Sequence, residues 1–364
     1  MLALQSHTPA TLANAVPELT LAEARKVLGA FYRGLPLDRP VAQVRRESLV
    51  ALRAAVTTPE LALLREETSA LDPFVKLALT TLDARVIETV RISLERPGRY
   101  AVCLSSQVGC ALGCAFCATG RLGLGRNLEA WEIVEQVRHV RRGLPQHGPV
   151  TARIHGVLFQ GMGEPLANID AVLTAIEVIS EPSALAIDRR NITVCTAGLP
   201  KGILALAAHA PKARLALSVH SARPEVRRRL MPIDRHHPLD EVLLATVEHA
   251  RTTRRAPLWA ITLLDGVNDS DEDARAVASL AHAFTEAAGV APQLSIVAYN
   301  PSQPTADPFA PSSAARTASF REVLKGSGIA ARRRYSGGSD IGAACGQLAG
   351  ERPPHNGTNV YGGH

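Results

Sequence analysis

The chain has 364 residues, with 40 Lys+Arg against 34 Asp+Glu, a formal charge of +6, a pI near 9.2 and six cysteines. That length favours about two domains or one elaborated α/β barrel, because single cores stop growing at about 250–300 residues; a hydrophobic content of 46% with 20% charged residues excludes a mostly disordered chain. No apolar run approaches the roughly 20 residues that span a bilayer, and the N-terminus lacks a basic n-region, so a cytoplasmic protein without membrane contact is expected.

Residues 1–75 read as an N-terminal helical accessory module. Thr20-Leu-Ala-Glu23 is a capping-box pattern ahead of the apolar positions Val27, Leu28 and Phe31, and Pro36 and Pro40 then break the pattern. A second helix is predicted over residues 41–56, where Val44, Leu49 and Leu52 make an apolar stripe beside Arg45, Arg46 and Arg53. Residues 76–99 form a connecting β segment, alternating in character up to the turn Arg96-Pro-Gly-Arg99.

From residue 100 to residue 349 the punctuation changes. Strand candidates over residues 100–105, 154–159, 191–196, 214–220, 258–264 and 293–298 alternate with helical patterns over 128–142, 170–179, 201–209, 239–252, 271–286 and 313–325. Such repeated alternation predicts an α/β fold with a parallel sheet that curls one way, a partial (β/α) barrel. The small, Gly-rich stretch 332–348 reads as a loop that approaches a site closely, and residues 350–364 read as a disordered tail.

Four of the six cysteines, Cys103, Cys110, Cys114 and Cys117, fall within fifteen residues, which points to metal or redox chemistry in a reducing compartment. Cys110-Ala-Leu-Gly-Cys114-Ala-Phe-Cys117 follows the first barrel strand, and three thiolates on one tight loop suit three irons of a four-iron, four-sulfur cluster with the fourth iron open. A zinc site would want a fourth ligand, for which Cys103 is badly placed inside the strand. The spacing is similar to that of the radical S-adenosylmethionine (SAM) superfamily. Gly161-Met-Gly-Glu164-Pro165 ends the second strand, where Gly163 allows close backbone approach and Glu164 can receive the SAM ammonium group. Cys195, Ser218, His220 and Asn300 share the same position at strand ends, where barrel sites are built. Cys103 and Cys345 remain as two thiols able to act as nucleophile and resolving partner.

The runs Cys103 to Gly120, Gly161-Met-Gly-Glu-Pro-Leu166, Arg229-Leu-Met-Pro-Ile233, Leu264-Asp-Gly-Val-Asn-Asp269 and Asp340-Ile-Gly-Ala-Ala-Cys-Gly-Gln-Leu348 resemble the RlmN/Cfr family of radical SAM RNA methyltransferases. The resemblance covers about residues 75–350 and implies methylation of an adenine ring carbon, C-2 ahead of C-8, in 23S rRNA and possibly tRNA. It implies two SAM molecules per turnover. One methylates Cys345; the other, at the iron held by Cys110, Cys114 and Cys117, yields the radical that takes hydrogen from that methyl, so that the carbon adds to adenine. Cys103 would then release the product through a transient disulfide with Cys345 while Glu88 removes the ring proton. By the same resemblance Gly163, Glu164, Cys195, Ser218, Val219, His220 and Asn300 contact SAM, flavodoxin or a similar protein donates electrons, and the enzyme is a monomer. Three departures stand out: Cys195 where the family has Ser, Arg334-Tyr-Ser-Gly-Gly338 in place of a Thr-Arg-Gly segment, and Pro-Ser-Gln-Pro after Asn300. A methylase using this chemistry on a small molecule or peptide is the alternative. The N-terminal helices and the arginines are expected to supply phosphate contacts.

Overall fold

The computed structural model describes residues 1–145, 151–302 and 307–349. Three helices open the chain, α1 (Pro9–Ala15), α2 (Leu21–Tyr32) and α3 (Arg46–Ala55), and β1 (Leu2–Ala3) pairs with β2 (Val56–Thr57). The capping box forms as its spacing predicts: Thr20 Oγ1 accepts the Glu23 amide at 3.2 Å and the Glu23 carboxylate accepts the Thr20 amide at 3.0 Å. That carboxylate also accepts from the backbone N of Arg45 at 3.0 Å and its Nε at 2.9 Å, so α3 starts at Arg46 rather than at residue 41. A second departure lies at the end of the expected helical module, where β3 (Ala62–Thr68) pairs antiparallel with β4 (Phe74–Thr80). Its hydrogen bonds come from the partner strand, which local propensity does not reveal.

β4 leads to β5 (Val86–Ser93) and β6 (Arg99–Leu104), still antiparallel, and a hairpin of β7 (Gln107–Cys110) and β8 (Gly123–Asn127) follows outside the main sheet. The chain then winds through α4 (Ala130–Arg142), β9 (Arg153–Phe159), α5 (Ile169–Ser180), β10 (Ile192–Thr196), α6 (Pro200–His209), β11 (Arg214–Ser218), α7 (Pro224–Leu230), α8 (Leu239–Thr253), β12 (Leu258–Leu263), α9 (Asp271–Ala288), β13 (Gln293–Ala298), α10 (Ala314–Gly326) and β14 (Ala331–Arg334). The main sheet has ten strands in the order β14-β13-β12-β11-β10-β9-β6-β5-β4-β3, with every pairing from β6 to β14 parallel. All six predicted barrel strands and their helices are present within a few residues. The seventh parallel strand, β14, stands where a loop was expected, because three consecutive arginines hide a strand that parallel pairing with β13 supports.

Alternation along these strands separates two faces. Val102, Val157, Val194, Leu217, Ile261 and Ile296 are buried in one continuous apolar core beneath the helices. The opposite face carries small and polar side chains, among them Cys103, Cys195, Ser218 and Arg334, and lines the barrel interior. Leu4, Leu12, Val27 and Leu28 from the N-terminal helices belong to the same core, and Arg138 of α4 lies 4.1 Å from the Phe31 ring centroid. The tail expected over 350–364 lies outside the described residues.

Candidate active site

The β7–β8 hairpin fixes the cysteine triplet. Gly109 sits at φ +74°, and a Cβ there would lie 2.0 Å from the Gly123 carbonyl oxygen, so the two strands close only on glycine. Cys110 ends β7, the Cys117 amide donates to the Cys114 carbonyl at 3.1 Å, and the Ala115 amide donates to Leu230 O at 2.9 Å. Leu112, Cys114 and Phe116 pack on a small apolar cluster of Ala197, Leu230, Met231, Leu264 and Tyr299. Burial pushes the Cys110 thiol up to about 12 and raises those of Cys114 and Cys117, with the amides of Gly120 and Thr119 opposing the rise at Cys117. Thiolates in so apolar a loop need a positive partner, which iron atoms supply. Among the described residues no three or more His, Cys, Asp or Glu are grouped as the ligands of a metal ion. A cluster in which each of three irons takes one thiolate suits the triplet.

The strand-end segment Gly161 to Pro165 is seated on the chain just after β6. Met162 N donates to Ser105 Oγ at 2.9 Å, and Glu164 N to Gln107 Oε1 at 2.8 Å. Gly163, at φ +96°, would put a Cβ 2.5 Å from the Gln107 Cβ. Glu164 is 3% exposed, and its two oxygens accept the amides of Leu166 at 2.9 Å and Ala197 at 2.8 Å. Burial raises its pKa to about 7 against these amides, so a cation placed beside it would be welcomed as a counter-charge.

Cys345 reaches this region on a loop held from every side. The Ala118 amide, one residue past Cys117, donates to Gly346 O at 2.8 Å, and Thr119 Oγ1 donates to Leu348 O. Ser336 Oγ accepts the Cys345 amide at 2.9 Å, and Asn300 Nδ2 donates to Ser336 Oγ at 3.1 Å and to Cys345 O at 3.4 Å. Further out, Asp72 accepts from Tyr335 Oη at 2.9 Å and Gly338 N at 2.8 Å, while Asp340 accepts from Ser69 Oγ at 2.7 Å and Ala70 N at 2.8 Å. Cys103, Cys345 and Cys117 thereby line one cavity of about 250 Å³, together with Gln160, Gly161, Arg334 and Ser336. Burial raises the Cys103 thiol, the thiols of Cys345 and Cys195 add to the rise, and Arg334 opposes it. Cys195 is pushed up to about 12, again by burial against Arg334. All six cysteines are free, so no disulfide joins Cys103 to Cys345 here.

Glu88 is not among the residues that line that cavity, but it shares a face of β5 with Val90 and Ile92, which do. It is 4% exposed, pairs with Lys76 Nζ at 3.2 Å, and accepts the Ala349 amide at 2.9 Å, which brings it to the end of the Cys345 loop. Lys76 also pairs with Glu67 at 3.1 Å.

The remaining strand-end residues share a scaffold the sequence did not disclose. Arg227, fully buried, pairs with Asp234 at 3.0 Å and donates to the carbonyls of Ser218 at 2.8 Å, Val219 at 2.5 Å and Ala197 at 2.9 Å, tying the ends of β10 and β11 together. His220 adopts φ +55°, accepts the Thr262 amide on Nδ1 at 3.1 Å, and packs against Phe116 with centroids 4.4 Å apart. Burial, helped by Arg227, lowers its pKa to about 3, so it is neutral and keeps its proton on Nε2. Asn268 donates to His220 O at 2.7 Å. Arg227 and Ser336 escape sequence reasoning because nothing local marks an arginine as buried or a serine as a loop anchor.

Residues 104–278 match the model of the radical SAM superfamily. The chain is 55% identical over 349 residues to a probable RNA methyltransferase of Sorangium cellulosum, covering 91% of this chain and 88% of that one. It is 39% identical over 329 residues to the dual-specificity RNA methyltransferase RlmN of Syntrophobacter fumaroxidans, covering 90% and 92%. The chain belongs to the RlmN-type family of radical SAM RNA methyltransferases. A radical SAM methyltransferase from Sphaerobacter thermophilus shares the fold, with a TM-score of 0.82 at 33% identity over 96% of this chain and 99% of that one. Family membership implies a four-iron, four-sulfur cluster and SAM, which the cysteine triplet fits. Among the described residues no helix is long and apolar enough to cross a membrane.

Proposed function

We propose that the chain methylates an adenine ring carbon, C-2 ahead of C-8, in 23S rRNA and in tRNA, through a methyl group carried on Cys345. The observation that carries this reading is the shared cavity of Cys103 and Cys345, with the Cys345 loop hydrogen-bonded to the residue after Cys117. The relatives named as RNA methyltransferases support RNA over a small-molecule or peptide acceptor.

In this mechanism Cys110, Cys114 and Cys117 hold the cluster, and Gly163, Glu164, Cys195, Ser218, Val219, His220 and Asn300 form the surroundings of SAM. When bound, the cluster and two SAM molecules supply the methyl group and the hydrogen-abstracting radical. Cys345 accepts the methyl on its sulfur and presents it to the adenine. Its loop is ordered by Ser336 and Asn300, which support a positioning role for Asn300 beside any SAM contact. Glu88, next to Ala349, takes the ring proton. Cys103 attacks the Cys345 sulfur, frees the methylated base and leaves a disulfide that a dithiol reductant returns to two thiols, while flavodoxin or a similar protein would supply the electron that SAM cleavage consumes. We place the enzyme in the cytoplasm, acting as a monomer.

The test is to reconstitute the cluster anaerobically, supply SAM, reductant and ribosomal RNA, and examine protein and RNA by mass spectrometry. Methylated Cys345 together with methyladenine is expected. Methyladenine made by protein whose Cys345 never carries a methyl would sink the mechanism.

A further inference from the structure

We propose that the cavity at the N-terminal end of β11 to β14 is a phosphodiester-binding channel through which the RNA strand reaches the site, its phosphates held by Arg214, Arg332 and Arg333. This rests on the RNA reading above and says where on the molecule the RNA lies. The cavity has a volume of about 750 Å³, and its lining includes Arg214, His282, Arg332, Arg333 and Arg334 but no Asp or Glu. Buried Arg227 pairs with Asp234, and half-buried Arg126 and Arg223 pair with carboxylates; of the arginines in this cavity, Arg332 and Arg333 are exposed and Arg214 and Arg334 half-buried. Here, among the described residues, no hydrogen bond or ion pair holds the guanidinium groups of Arg214, Arg332, Arg333 or Arg334.

Unpaired cations along one cavity attract an anion with spaced charges, Arg332 and Arg334 from one face of β14 and Arg333 from the other. Position decides between a general basic surface and a channel into the site. Arg334 lines both this cavity and the one that holds Cys103 and Cys345, so the two spaces meet at one side chain. A bland role exists for arginines on an edge strand, since charge there discourages strand-to-strand aggregation. It does not account for Arg214, which lies three strands away on β11. A second basic cleft, lined by Arg25, Lys26, Arg33 and Arg141, opens between α2 and the end of α4 and shares no residue with the catalytic cavity.

The experiment uses the full chain with reconstituted cluster and a fluorescein-labelled, adenine-containing single-stranded RNA 12-mer, followed by anisotropy over a KCl series. Arg332→Gln/Arg333→Gln and Arg214→Gln are compared with Arg25→Gln/Arg33→Gln, and with Arg332→Lys/Arg333→Lys as the charge-conserving check on folding. The expected result is roughly tenfold weaker binding for Arg332→Gln/Arg333→Gln, with the salt slope shallower by about 1.4, or about 0.7 for each phosphate no longer neutralised. The lysine pair should keep most of the affinity. Unchanged binding in the glutamine variants, or a loss confined to Arg25→Gln/Arg33→Gln, overturns the channel and leaves the RNA reading standing. Competition of the RNA by inorganic phosphate at equal phosphate concentration would overturn it too, by showing a small-anion site. Failure of the unmodified protein to bind the RNA at all would instead sink the RNA reading.

Discussion

The loop from Cys110 to Cys117 and the loop around Cys345 meet just past Cys117, where Ala118 N donates to Gly346 O and Thr119 Oγ1 to Leu348 O, yet they are built differently. The first has its own hairpin as a frame and packs apolar side chains on Ala197, Leu230, Leu264 and Tyr299. The second, with Gly342 and Gly346 at positive φ, takes its shape from side chains far away in sequence: Asp72, Asn300, Thr119 and Glu88. A cluster loop must hold one geometry through every turnover. On the proposed mechanism the Cys345 loop takes a methyl group from one molecule and delivers it to another, which anchors that can be released one at a time would serve.

The largest effects should separate the two loops by readout. Cys114→Ala is expected to lose the cluster's visible absorbance and all methylation, whereas Cys345→Ala should keep the absorbance and lose only methylation; loss of absorbance in both would show that the loops fold as one unit. Cys103→Ala should retain the cluster and leave RNA covalently attached to Cys345, seen as a shifted band on a denaturing gel. If free methylated RNA appears at the normal rate, Cys103 has no resolving role. Glu88→Gln should slow turnover by at least about a hundredfold, the scale of a lost general base, while the ion pair to Lys76 makes a parallel measurement of melting temperature necessary.

Smaller effects probe the anchors themselves. Asp72→Ala removes two hydrogen bonds to the Cys345 loop, so about 1–2 kcal/mol of stability and a several-fold fall in kcat are expected, with the cluster absorbance intact. The least effect concerns Glu164 in protein without SAM. Its folded pKa of about 7 exceeds the ordinary 4.5, so the folded state binds the extra proton and this group's contribution declines as pH rises from about 4.5 to 7. Glu164→Gln should flatten that part of the melting-temperature profile, and an unchanged profile would show that Glu164 does not titrate there.

The barrel was legible because its physics is local and periodic. Apolar residues at alternate positions of β9 to β13, and amphipathic helices between them, announce themselves whatever lies near by. The cysteine triplet is legible from its spacing alone. β14 was not legible, since Arg332, Arg333 and Arg334 make sense as a strand only when β13 offers its free edge. Nor was the late start of α3, which follows from Glu23 capturing Arg45 across twenty-two residues of chain.

By itself, then, the amino-acid sequence determined the strand-helix order, the faces of the strands and which thiols are chemically special, because those depend on spacing and residue type. Only the tertiary structure decided that Cys103 and Cys345 share a cavity, that Glu88 lies just beyond its lining, and that four arginines stand without carboxylates around a neighbouring one. Such facts depend on which distant segments meet and on which charges find partners, and a chain acquires those relations only by folding.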